Sequence, residues 1–115
     1  MKKQQHLLKS PNDWNCMDIA AYFMQRWKTA WPGYGPPCFT TKTAAVIKYR
    51  LKWFVENVHV ISMKDLIDFI FDRWNDGTPA RLHWNERFPD WRLFEWRNTF
   101  EAFVHECVSA TERKS

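Results

Sequence analysis

Glycine is scarce, with three residues in a chain of 115. No Gly-rich phosphate-cradling loop, dinucleotide fingerprint or Gly-x-Ser-x-Gly elbow occurs, which removes the familiar motifs of nucleotide binding and acyl transfer. Cysteine is equally sparse. Cys16, Cys38 and Cys107 are odd in number and widely spaced, which fits reduced thiols in an intracellular compartment and not a secreted disulfide scaffold. No stretch approaches the roughly 20 apolar residues that span a bilayer. The leading MKKQQHLLKSPND carries lysines but lacks the apolar run of a signal peptide. The expectation is a soluble, cytosolic chain with no membrane partner. Internal repeats and low-complexity tracts are missing too. Carboxylates are missing locally: residues 1–10 hold Lys2, Lys3 and Lys9 and no acid, and none occurs from Lys42 to Val55.

What the chain has in excess is aromatic surface. Eight Trp, nine Phe and three Tyr make 17% of the residues, more than a domain of this size easily buries, so several rings are expected to be partly exposed. The hydrophobic fraction of 45% is ordinary for one globular domain. A net charge of +4 and a pI near 9.1 permit nucleic acid or an acidic protein as partner without demanding either.

Residues 1–11 read as a flexible basic arm, residues 12–111 as a single helical domain and residues 112–115 as a frayed tail. A first helix starts near Asn15, a plausible N-cap with Asp18 three residues on, and buries Cys16, Ile19, Ala20, Phe23, Trp27 and Ala30. Pro32 stops it. The stiff connection WPGYGPPCF follows, with Trp31, Tyr34 and Phe39 either folded back over the core or presented to a partner. Thr40 or Thr41 caps a central helix reaching about Val58, whose stripe is Ala44, Ile47, Leu51, Phe54, Val55 and Val58. Ser62 and Asp65 suggest a capping box for a third helix with Leu66, Ile67, Ile70 and Trp74 inward and Gly77 as its stop. Residues 78–90 read as an irregular loop, or a small hairpin around Asn85. From about Asp90 one long closing helix is expected, with Leu93, Trp96, Phe100, Phe103, Val104 and Cys107 inward. The fold class is all-α, a compact array of about four helices.

Candidate chemistry is thin. The closest pairing of histidine with cysteine is His105-Glu106-Cys107, and a separation of two on a helix points side chains about 200° apart, so neither a metal nor a cofactor is expected. Asp65, Asp68 and Asp72 share a helical face that suits magnesium only with a second carboxylate cluster or a phosphate-gripping loop, neither of which is present; a solvated acidic face is the plainer reading. Cys38 has no adjacent base to make it a nucleophile. The chain is not expected to be an enzyme.

The central helix offers a different surface. Lys48 and Lys52 lie one turn apart, Tyr49 and Trp53 run alongside, and Lys42 and Arg50 add charge, Arg50 from the opposite flank. Cations attract phosphates and aromatic faces stack on unpaired bases. Arg81 and Arg87 extend the candidate nucleic-acid surface. A helix-turn-helix placement would turn the aspartate stripe of residues 63–75 toward phosphates, so single-stranded or nonspecific contact suits the surface better. The alternative is a protein-docking module using exposed Tyr49, Trp53, Trp84 and Trp91, residue types that dominate binding hot spots. Exposed rings amid cations favour nucleic acid; an uncharged aromatic patch favours a protein.

The run MDIAAYFMQRWKTAW, a Gly/Pro connection, AAVIKYRLKWFVENV, MKDLIDFIFDRW and FPDWRLFEWRNTF resembles small helical accessory proteins of phage or mobile-element origin. The resemblance covers about residues 14–103 and lies in aromatic and apolar spacing, not in a site motif. It implies a replication-associated or host-takeover factor acting in the host cytoplasm.

Overall fold

The computed structural model describes residues 13–33, 35, 38–75 and 91–114. Among them are five helices and no strand: α1 (Cys16–Ala30), α2 (Thr41–Asn57), α3 (Met63–Asn75), α4 (Arg92–Glu95) and α5 (Arg97–Lys114). The all-α expectation holds.

Local chemistry sets most boundaries. Asn15 accepts from the backbone N–H groups of Met17 and Asp18 at 2.9 and 3.0 Å, and Asp18 accepts in return from the Asn15 N–H at 2.9 Å. These bonds satisfy donors that a helix start leaves without intrahelical acceptors. Ser62 and Asp65 repeat the exchange at the start of α3, at 3.2 and 2.9 Å. Thr40 caps α2 by accepting from the Thr43 N–H.

The core is aromatic at its centre. Phe23 of α1 meets Phe71 of α3 at 5.2 Å between ring centroids, Trp91 at 4.5 Å and Phe94 of α4 at 6.2 Å. Phe94 in turn meets Phe100 of α5 at 5.9 Å. Helix α1 packs on α2 and α3, α5 on α3 and α4, and α2 on α4. Trp31 and Phe39 are half-buried against Phe71 and Trp91, so these two rings of the Pro-rich connection fold back over the core. Leu66, Ile67 and Ile70 are fully buried as their spacing requires. Trp74's side chain, Tyr34, Gly77, the arm and residues 78–90 lie outside the described residues.

Three expectations are corrected. Val55 does not join the α2 stripe: it is 56% exposed, because the buried face centres on Ile47 and Phe54 and Val55 lies about 100° round from Phe54. The closing segment is two helices, not one. Trp96 breaks it with φ −95° and ψ 102°, an extended conformation, and stands 45% exposed where it was expected inward. In a continuous helix Phe94 would point roughly 120° away from Phe100 and about 180° away from Phe103. The break lets Phe94 enter the core and turns Trp96 out. Finally, α5 runs to Lys114, beyond the point where the tail was expected to fray.

The aspartate face of α3 is largely engaged. Asp65 caps, while Asp68 accepts from Tyr22 Oη at 2.5 Å, from Arg26 at 2.7 Å and from Lys64 at 3.1 Å. Asp72 is exposed, with Arg26 at 3.5 Å. The Tyr22 and Arg26 contacts lash α1 to α3.

Candidate nucleic-acid interface

Helix α2 turns Thr43, Ile47 and Phe54 into the core. That fixes the outward face, which carries Ala45, Lys48, Tyr49, Lys52, Val55 and Glu56. Lys42 is exposed at the amino-terminal end of the same helix. Tyr49 is 72% exposed. Among the described residues, Lys42, Lys48 and Lys52 enter no ion pair, and Glu56 is the one carboxylate on this face. An open groove of about 700 Å³ follows it, lined by Ala45, Tyr49, Leu51 and Val55 with Lys48 and Lys52 beside them. Lysine ammonium groups can pair with anions, and the apolar shelf beside them can take a flat ring.

Arg50 and Trp53 depart from this arrangement. Arg50 turns to the far flank, where its Nε donates to the Phe94 carbonyl oxygen at 2.7 Å and a terminal nitrogen donates to that of Glu95 at 3.3 Å. The break at Trp96 takes both carbonyls out of any continuous helical ladder, and the guanidinium supplies donors to them. Burial, then the neighbouring positive charge of Arg97, holds the Arg50 guanidinium below its ordinary pKa. Arg50 is thus a strut between α2 and α4, not part of the outward lysine face. Trp53 is half-buried, its ring meeting Phe100 edge to face at 6.0 Å. It borders the face without standing on it.

Trp91 is corrected outright. Expected at a docking surface, it is 4% exposed, packed between Phe23 and Phe39. Arg81, Trp84 and Arg87 lie outside the described residues. The residue that sequence reasoning missed is Trp96. The signal was available: Phe94 and Phe100 cannot share one face of an unbroken helix, so one of two apolar sets had to be turned out.

No group of three or more His, Cys, Asp and Glu side chains among the described residues is placed to hold a metal ion. His105 is exposed while Cys107 is buried, its thiol 3.9 Å from the Asp65 carbonyl oxygen. No described helix is long and apolar enough to cross a membrane. Comparison with known proteins finds no matching family model, curated protein or solved structure.

Proposed function

We propose that this chain is a non-enzymatic accessory factor of phage or mobile-element type that binds nucleic acid through the outward face of α2, acting in the host cytoplasm. The observation that supports it is the setting of Tyr49: an exposed ring amid Lys42, Lys48 and Lys52. Lysines release counterions when they meet phosphates, and a ring beside them gives an unpaired base a face to stack on. Single strands suit the surface better than duplex, whose bases are already stacked and whose edges call for a reader in the groove. The phage or mobile-element type rests on the spacing of aromatic and apolar residues alone.

The groove beside Leu51 and Val55 keeps a second reading in view, an adaptor or inhibitor docking on a host or phage protein. One experiment separates the two. Fluorescence anisotropy with labelled single-stranded and duplex oligonucleotides, titrated with salt, should show wild-type binding that the double change Lys48→Glu, Lys52→Glu abolishes. A single neutral change at either lysine should lower the salt slope on single strands by about 0.7. Wild-type protein that binds neither probe at low salt removes the nucleic-acid reading and leaves the adaptor.

A further inference from the structure

Helix α2 packs on α1 and α4, and α5 packs on α3 and α4. Between α2 and α5 the ring contact of Trp53 with Phe100, at 6.0 Å, spans the gap. Beside that contact lies a cavity of about 330 Å³, whose lining includes Trp53, Val60 and Val108 together with Asn57, His59 and His105. Val60 is 53% exposed, so this apolar wall is open to a ligand and not sealed into the core.

The polar groups of the cavity are unspent. Asn57 Nδ2 donates to the Trp53 carbonyl oxygen at 2.8 Å, which leaves its Oδ1 to accept. His59 and His105 are exposed and make no hydrogen bond or ion pair among the described residues. A neutral imidazole offers one donor and one acceptor. Apolar walls with both kinds of group beside them suit a flat ring whose edge carries donors and acceptors, as a nucleobase does.

Helix geometry ties the cavity to the lysine face. Tyr49, Trp53 and Asn57 recur every four residues, so they follow one side of α2 at steps of about 6 Å along its axis. The cavity thus begins one helical turn beyond Tyr49, at the residue that follows Lys52.

We propose that this cavity takes one unpaired base of a single strand held by the α2 lysines, with His59 and His105 hydrogen-bonding its edge. The inference rests on the nucleic-acid reading above and adds a base-reading site to it. A step of about 6 Å exceeds the rise of about 3.4 Å between stacked bases. The base in the cavity is therefore splayed from the one on Tyr49, as unpaired bases are when proteins read their edges. Volume sets the limit: the cavity is near the lower end of the range for small-ligand sites, room for one base and not for a base pair. Trp53, held by Phe100, remains a structural residue that supplies a wall. An aliphatic side chain of a protein would leave the imidazoles and the amide oxygen unused.

The test uses the full chain at about pH 8, where imidazoles are largely uncharged. The probes are oligothymidylate, oligoadenylate, oligocytidylate and a duplex of equal length. Both histidines are exposed, so changing them leaves the core intact. His59→Ala with His105→Ala should weaken binding to at least one single strand about 5- to 150-fold. Duplex binding should stay within about twofold, and the salt slope should not change, because no cation is removed. Val108→Trp fills the cavity and should have the same effect; Val60→Trp replaces it if that variant does not fold by circular dichroism. Loss of single-strand binding in both the alanine pair and the filled variant, with duplex spared, supports the site. Equal loss on duplex overturns it, as does wild-type binding of every single strand by either variant. The α2 reading then stands if Lys48→Glu with Lys52→Glu still abolishes binding. Wild-type protein that binds no probe overturns both.

Discussion

Arg50 Nε and the Phe94 carbonyl oxygen, 2.7 Å apart and 44 residues distant in sequence, tie the outward helix to the point where the closing segment breaks. The bond is charge-assisted and half-buried, and its acceptor would otherwise serve the next turn of a helix. Arg50→Ala should therefore lower stability by about 1–3 kcal/mol, read as a shift of the urea midpoint at constant m. Arg50→Lys, without the planar fork, should recover part of it. A variant as stable as wild type but defective on oligonucleotides would mean that Arg50 serves the ligand and not the fold.

Phe54 and Val55 are neighbours with opposite fates, 4% and 56% exposed. Phe54→Asp puts an unpaired carboxylate into the core and should cost about 3–5 kcal/mol, abolishing or severely broadening the cooperative melt. Val55→Asp should melt within a few degrees of wild type. Similar damage from both changes would mean that α2 is rotated from the orientation described.

Tyr49 and Trp53 should separate in the same way, one through binding and the other through folding. Tyr49→Ala should leave the melting temperature unchanged and remove roughly 1–3 kcal/mol from single-strand affinity. Trp53→Ala loses the edge-to-face contact with Phe100 and should destabilise by roughly 1–2 kcal/mol. The pair of measurements is a thermal melt and an anisotropy titration on each variant.

Alkaline pH should loosen the α1–α3 contact. Burial, and then the hydrogen bond to Asp68, raise the pKa of Tyr22 above its ordinary value, while the Asp68 hydrogen bond raises that of Lys64 despite partial burial. A raised pKa means the folded state holds its proton more tightly than the unfolded chain. The stabilisation is therefore complete below the ordinary tyrosine value of about 10 and is lost as pH rises through the higher folded value. The urea midpoint, followed from neutral pH to about 11, should fall at the alkaline end. In Tyr22→Phe that fall should be shallower, from a starting stability lower by roughly 1 kcal/mol. Parallel curves for the two proteins would show that Tyr22 does not titrate with folding.

The sequence by itself determined the all-α class and the starts of α1, α2 and α3. Asn15 with Asp18, Thr40, and Ser62 with Asp65 cap where they do because the groups that bond are three residues apart or fewer. The buried stripes of α1 and α3 were legible for a similar reason, since Ile19, Phe23 and Trp27, or Leu66 and Ile70, repeat at the helical period. Lys42, Lys48, Tyr49 and Lys52 stayed outward because burying Ile47 and Phe54 leaves them no other direction. Only the tertiary structure decided Arg50, Trp91 and Trp96. Each depends on partners far along the chain: the Phe94 carbonyl for Arg50, Phe23 for Trp91, and for Trp96 the competition of Phe94 for a place beside Phe23 and Phe100. Periodicity ranks residues along one helix, but which of two apolar sets is buried depends on the shape of the helices packed against it, and that shape exists only once the chain has folded.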